Sequence, residues 1–341
     1  MWTIGLDVHW RTTSVCILNE YGKKIKAKTL RGPWEKVISY LAGLSERFQV
    51  CFEASCGYGA LYDRLRPLSA RVVVAHPGQV RMIFRAKRKN DRVDAQKLAQ
   101  LLYLDAVPPA YVPGVGTRQW RRMIELRRTL IAKRVRTKNG LRSLLRSHGI
   151  RAPRSLWSRK GLQWLRQVAF AGEMPAIERD LLLEELAQYD QQIRRVTRTL
   201  DRIARRHSGV RHLREIPGVG PRTAEAILAY MDDPRRFGSK QVGAYFGLVP
   251  CQDASAGTNR LGHITREGPA TARTLLVEAA WQAIRRCPHV RTYFERICGG
   301  KKDRRKIAVV ATAHYLLRCM HAMLRTGECW RYPAQTATGA A

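Results

Sequence analysis

Apolar and polar positions alternate along residues 3–30, which predicts strands at 3–9, 12–19 and 25–30. Asn19-Glu20-Tyr21-Gly22 falls between the second and third and reads as a hairpin turn. From Pro33 to about Leu44 the apolar spacing lengthens to that of an amphipathic helix. A short apolar strand at 50–54, a helix at 58–65 and a Val-rich strand at 71–75 follow. This order predicts a mixed sheet covered by helices. The Pro/Gly-rich stretch Val107-Pro108-Pro109-Ala110-Tyr111-Val112-Pro113-Gly114 then marks a domain boundary. Beyond Thr117 the period is helical, with Trp120, Ile124, Leu126, Leu130, Val135 and Leu141 separated by arginines. A second long helix is predicted from about Pro175 to Arg206, with Leu182, Leu186, Ile193, Val196, Leu200 and Ile203 on one stripe. Two such helices joined by a turn predict an antiparallel coiled-coil hairpin, with a packed helical bundle as the alternative. The last third is helical and broken by glycines. The fold class is therefore α/β plus α. It comprises an α/β domain at 1–114, a basic helical coiled-coil domain at 115–207, a mostly helical domain at 208–330 and a small, polar tail at 331–341 that reads as disordered.

Composition narrows what such a chain can do. Of its 341 residues 45% are hydrophobic, enough to fill cores and to exclude a wholly disordered basic tail. Against 27 Asp+Glu stand 62 Lys+Arg, 47 of them arginine, for a net charge of +35. That balance points to polyanionic partners, nucleic acid first and an anionic membrane surface second. The charge is uneven: residues 115–160 hold 15 basic residues and one acidic, whereas 161–207 net only +1. No uninterrupted run of 18 apolar residues occurs, and the first residues lack the charged start and apolar stretch of a secretory signal. Eight scattered cysteines without a Cys-x-x-Cys pair fit a reducing cytosol better than a zinc ribbon or a disulfide framework. The expectation is a cytoplasmic nucleic-acid-binding protein with no membrane partner.

Acids are scarce in the first domain, so their positions carry information. Asp7 lies in the apolar run Ile4-Gly5-Leu6-Asp7-Val8, and Glu53 lies in Cys51-Phe52-Glu53-Ala54. A carboxylate inside a core strand is costly unless paired or bound to metal. The element order matches a ribonuclease-H-like domain, in which these two strands would be neighbours. Asp91 and Asp94 are three apart and share a face if their segment is helical. Converging carboxylates call for divalent cations, and Mg²⁺ is the natural choice, with two ions able to clamp an in-line phosphoryl displacement. The plainer alternative is that these acids pair with nearby arginines, with His9 as a hydrogen-bond partner of Asp7.

Two signals stand out in the last domain. Ile216-Pro217-Gly218-Val219-Gly220-Pro221-Arg222-Thr223 is the pattern of a helix-hairpin-helix, whose turn amides at a helix N-terminus can grip a phosphate. A helix–helix turn with glycine for steric reasons is the alternative. Further on, Cys251-Gln252-Asp253-Ala254-Ser255-Ala256-Gly257 reads as a loop of small residues, followed by Arg260, Arg266 and Arg273. A serine attacking phosphate needs access, loss of its proton and nearby cations, yet composition alone would leave Ser255 a solvated turn residue. Cys251 is a competing nucleophile without a His–acid pair in the adjacent sequence.

Taken in order, Gly5-Leu6-Asp7-Val8-His9, Phe52-Glu53-Ala54-Ser55, Lys89-Asn90-Asp91-Arg92-Val93-Asp94-Ala95 and the block from Gly247-Leu248-Val249-Pro250 through Gly268 closely resemble the DEDD transposases of the insertion-sequence 110 family. The likeness runs from about residue 3 to 325. It implies a RuvC-like catalytic domain whose four metal-binding acids are Asp7, Glu53, Asp91 and Asp94, with Asn90 where Thr is usual. It also implies a C-terminal transposase domain whose essential serine is Ser255. The implied activity is recombination of a mobile insertion sequence, guided by a structured non-coding bridge RNA that pairs with donor and target double-stranded DNA. The implied assembly is a tetramer, a dimer of dimers, in which Ser255 of one subunit meets the acids of another. Arg121, Arg122, Arg127, Arg128, Lys133 and Arg134 are candidate nucleic-acid contacts in the basic block. Gly218, Gly220, Arg260, Arg266 and Arg273 are candidates in the last domain. The rivals are a RuvC-like Holliday-junction or strand-cleaving endonuclease using the acids and water, and a non-catalytic basic scaffold.

Overall fold

In the computed structural model, which describes residues 1–83, 90–255 and 258–331, the chain forms two compact units, Met1–Arg118 and Gln119–Ala341. Lys89, Ala256, Gly257 and the expected tail from residue 332 onward lie outside the described residues.

The first unit follows the sequence pattern closely. Strands β1 (Trp2–Val8), β2 (Thr12–Leu18) and β3 (Lys24–Arg31) form an antiparallel meander. Helix α1 (Trp34–Ala42), strand β4 (Phe48–Glu53), helix α2 (Tyr58–Leu65) and strand β5 (Arg71–Ala75) continue the order, followed by α3 (Pro77–Ile83) and α4 (Asp91–Tyr103). The five strands lie in the order β3-β2-β1-β4-β5, with β4 parallel to both β1 and β5. This mixed sheet is compatible with a ribonuclease-H-like domain. Side-chain alternation divides it cleanly. Ile4, Leu6, Val50, Phe52 and Val74 pack with Val37, Leu41, Leu61 and Leu65 of α1 and α2 on one face. Cys51, Val73 and Ala75 meet Leu98 and Leu102 of α4 on the other. Lys24, Lys26 and Lys28 project as exposed residues from the edge strand β3, a placement that discourages pairing with a foreign strand.

The second unit is mostly helical. Helix α5 (Val115–Ser147) continues from the first unit, and α6 (Arg159–Gln167) and α7 (Glu173–Arg206) follow. Arg127 Nε donates to Thr197 Oγ1, Arg134 Nη1 to Asp190 Oδ1, and Thr137 Oγ1 to Glu185 Oε2. Residue numbers fall on one helix as they rise on the other, so α5 and α7 run antiparallel. Leu141, Leu145 and Leu186 close one end of the pair with Leu156 and Leu165. Ile124, Leu130, Ile193, Val196 and Leu200 join the larger core made with the helices that follow. These are α8 (Ser208–Leu213), α9 (Pro221–Met231), α10 (Gln241–Tyr245), α11 (Ala270–Arg286), α12 (Pro288–Cys298) and α13 (Arg305–Thr326). The segment 302–326 is long and apolar enough to cross a membrane by length and composition alone. Within α13, however, Ala313, Leu316, Leu317 and Met320 are wholly buried in the core. The helical pattern of this part hides one feature: β6 (Pro250–Ser255) and β7 (Thr258–Ile264) pair as an antiparallel ribbon. All eight cysteines are free.

Candidate active site and nucleic-acid surfaces

Asp7 is the penultimate residue of β1 and shares a face with Gly5, the face covered by α4. Gly5 is there for closeness. A Cβ at that position would stand 2.0 Å from the Ala95 carbonyl oxygen and 2.4 Å from the Ala99 nitrogen, so the helix lies directly on the strand. The start of α4 is set by Asn90, whose side chain accepts from the Arg92 N–H at 3.1 Å. Asp91 and Asp94 occupy the first helical turn, where the helix dipole favours negative charge. Parallel pairing sets Leu6 opposite Phe52, one step before Asp7 and Glu53. Asp7 of β1 therefore stands beside Asp91 and Asp94 of α4 at the carboxyl edge of the sheet, with Glu53 at the end of the neighbouring strand β4 and on the same face.

Within that group the closest association is around His9. Its Nε2 lies 3.3 Å from Asp7 Oδ2 and 3.8 Å from Asp91 Oδ2. Asp7, His9 and Asp91 can offer ligand atoms all within 4.8 Å of one another. Asp94 instead contacts Lys97 Nζ at 3.3 Å, and Glu53 is exposed. Burial pushes the Asp7 carboxyl above its ordinary range, the neighbouring charges of Asp91 and Asp94 push the same way, and His9 opposes them. Both strand acids sit at strand ends rather than mid-strand, because β1 stops at Val8 and β4 at Glu53. A set of oxygen donors in which a half-buried carboxylate stands beside two further acids suits a divalent cation.

The basic residues anticipated on α5 divide into two groups. Arg121 donates to the Ala229 and Tyr230 carbonyls at 2.6 and 3.1 Å and lies over the Tyr230 ring. Arg127 and Arg134 are half-buried in their contacts to α7. Arg128 donates to Thr271 Oγ1 at 3.0 Å, yet stays exposed along with Arg122 and Lys133. Three of the six therefore help to hold the helices together.

The glycine turn divides in the same way. Gly218 adopts φ +96°, and a Cβ there would be 2.4 Å from the Ala283 nitrogen of α11. Gly220 precedes α9, and among the described residues nothing lies within 4 Å of a Cβ at that position. Packing requires the first glycine and leaves the second open.

Ser255 is the last residue of β6 and pairs with Thr258 of β7, so it stands at the tip of a ribbon rather than in a long loop. Arg260 and Arg266 are exposed. Arg273 points inward, donating to the carbonyls of Phe246, Glu267 and Arg266 at 3.0, 2.5 and 2.9 Å, which ties down the backbone that follows the ribbon.

Two features escape the sequence pattern. The near-neutral 161–207 block conceals a segregated helix. Residues 173–190 of α7 hold six acids and one arginine, and 191–206 hold six arginines and one acid. Those six, Arg194, Arg195, Arg198, Arg202, Arg205 and Arg206, are all exposed. A narrower charge window would have found them. Trp10, next in sequence to His9, is 78% exposed and meets Trp34 edge-on at 5.9 Å.

A family model described as "Transposase", DEDD_Tnp_IS110, matches residues 4–150, and one described as "Transposase IS116/IS110/IS902 family" matches residues 210–295. The chain is 30% identical over 294 residues to the "Probable family 20 transposase" of Pseudomonas aeruginosa, covering 83% of this chain and 85% of that one. It is 26% identical to the "Transposase for insertion sequence element IS1111A" of Coxiella burnetii, over 83% of this chain and 78% of that one. A further match, at 26% over 77% of this chain and 79% of the other, is the "Transposase for insertion sequence element IS1328" of Yersinia enterocolitica.

Proposed function

The chain belongs to the IS110 family of DEDD transposases, and from that premise we propose that it is a recombinase of a mobile insertion sequence that uses Ser255 as nucleophile and is guided by a bridge RNA. The observation that carries the reading is the meeting of Asp7 and Asp91 around His9, with Asp94 in the same first turn of α4 and Glu53 at the end of the adjacent strand on the same face. Those four acids would hold the cation, taken as two Mg²⁺ ions, with His9 beside Asp7. Bound there, a divalent cation supplies charge neutralisation and Lewis-acid polarisation of a phosphoryl oxygen.

The protein's own groups do the rest. The Ser255 hydroxyl attacks the phosphorus of a DNA strand and forms a serine–phosphate ester. A P–O bond to a deoxyribose breaks, and the departing sugar oxygen takes up a proton. Reversal with a new sugar hydroxyl reseals the exchanged strand. Arg260 and Arg266, exposed on the ribbon and just after it, are the cations for the phosphate oxygens, while Arg273 positions their backbone. The α8–turn–α9 segment acts as a helix-hairpin-helix, with Gly220 as its open approach to DNA backbone. Arg122, Arg128 and Lys133 meet bridge RNA and DNA phosphates largely without regard to sequence. Donor and target are then read by RNA pairing, and two dimers assemble so that Ser255 of one subunit reaches the acids of another. The setting is the cytoplasm, at the nucleoid.

The test is cleavage of donor DNA by protein carrying its co-purified RNA. Ser255→Ala is expected to lose both cleavage and the covalent protein–DNA adduct, and Asp7→Ala to lose both as well. Persistent cutting by Ser255→Ala would leave the water-using endonuclease as the correct reading. Indifference to both substitutions would leave a scaffold.

A further inference from the structure

Between α5 and α11, above the Gly218–Gly220 turn, the second unit contains a cleft of about 1060 Å³. Its lining is of two kinds. Ile124, Ile131 and Leu275 make apolar walls, while Arg128, Arg285 and Arg305 contribute exposed guanidinium groups. Trp281, also in the lining, is half-buried. It packs against Phe294 at 5.8 Å between ring centroids, and the Arg305 guanidinium lies 5.9 Å from its own. At its floor the buried Glu225 lies 3.1 Å from Arg222 Nη2, which also pairs with Asp201 of α7.

A surface that only follows a duplex backbone needs cations and polar groups, and apolar depth adds nothing to it. An aromatic ring set among apolar walls and bordered by arginines is instead the chemistry that holds an unpaired base and its phosphate. We propose that this cleft takes an unpaired nucleotide of the nucleic-acid partner, with the base against Trp281 and the phosphate against Arg128, Arg285 and Arg305. Gly220, which has open space around it, leaves room at the floor for that strand to pass. The proposal rests on the reading of the chain as an enzyme that handles nucleic-acid strands. An unpaired nucleotide arises wherever strands are separated or a guide loop is left single, in RNA or in DNA.

The experiment compares the full-length protein's affinity, by fluorescence anisotropy, for single-stranded oligothymidylate, oligouridylate and an oligomer of the same length with abasic sites in its centre. Wild-type protein is expected to bind the intact strands about tenfold more tightly than the abasic one. Trp281→Leu, checked for an unchanged melting curve, is expected to bind intact strands no better than abasic ones. A strand carrying one 5-iodouracil and photocrosslinked to the wild-type protein needs no variant, and its adduct is expected on Trp281. Oligothymidylate against oligouridylate tells DNA from RNA as the source. Equal affinity for intact and abasic strands, or an adduct mapping outside the cleft, overturns the proposal while leaving the recombinase reading in place. Thymidine monophosphate binding as tightly as the strand overturns it in favour of a free-nucleotide site. Failure to bind any strand or duplex, or RNA, would sink the recombinase reading itself.

Discussion

Asp7 is the least exposed of the four acids, with 20% of its side chain accessible against 29% for Asp94 and 53% for Asp91. Its folded pKa lies above the ordinary carboxyl value of 3.8, chiefly through burial. A carboxyl whose pKa rises on folding favours the folded state while protonated, and that contribution is lost as pH climbs through the folded value. At neutral pH the ionised Asp7 therefore costs stability whenever no cation is present. Asp7→Asn is expected to melt above wild type in chelator at pH 7. The gap should close on acidification below pH 3.8, where the wild-type group is protonated in both states. Added Mg²⁺ should raise the wild-type melting temperature and leave Asp7→Asn unmoved. A variant that melts lower than wild type in chelator would mean that Asp7 is held by its His9 contact rather than awaiting a cation.

At the scale of elements, two glycines show how local sequence and packing divide the work. Gly5 lets α4 lie on β1, and without that approach Asp91 and Asp94 would stand farther from Asp7. The same logic separates Gly218 from Gly220. Alanine at 218 meets both a left-handed backbone and the α11 main chain, so Gly218→Ala is expected to lose about 2 kcal/mol or more in denaturant unfolding. Gly220→Ala should stay within about 0.5 kcal/mol of wild type, and a larger Gly220→Val should weaken DNA binding in a folded protein. Equal stability of the two alanine variants would remove the packing role assigned to Gly218. The glycine pattern was legible in the sequence, but which glycine serves the fold was not, because that depends on where α11 passes.

For the molecule as a whole, a net charge of +35 favours polyanionic partners without saying where they bind. Charge density along the chain points to residues 115–160. The folded chain uses Arg121, Arg127 and Arg134 internally and exposes a row of six arginines on the second half of α7. Neutralising Arg195, Arg198 and Arg202 together to Gln is expected to preserve the melting temperature. It should also flatten the slope of log affinity against log salt on duplex DNA, by up to about 0.9 for each phosphate that is no longer neutralised. Replacing Arg121 and Arg127 should instead lower stability. An unchanged salt slope in the α7 variant would return the backbone contacts to α5 and the ribbon.

By itself the sequence determined the strand and helix order of the first unit, the two long helices and the family. Each of these is written in local periodicity or in short motifs, which neighbouring residues along the chain suffice to specify. The tertiary structure decided that Asp7 and Asp91 meet around His9 and that Ser255 ends a strand. It also decided which arginines are spent on packing and that a cleft opens between α5 and α11. These depend on pairing register and on helices distant in sequence, and a residue's exposure is set by what folds over it.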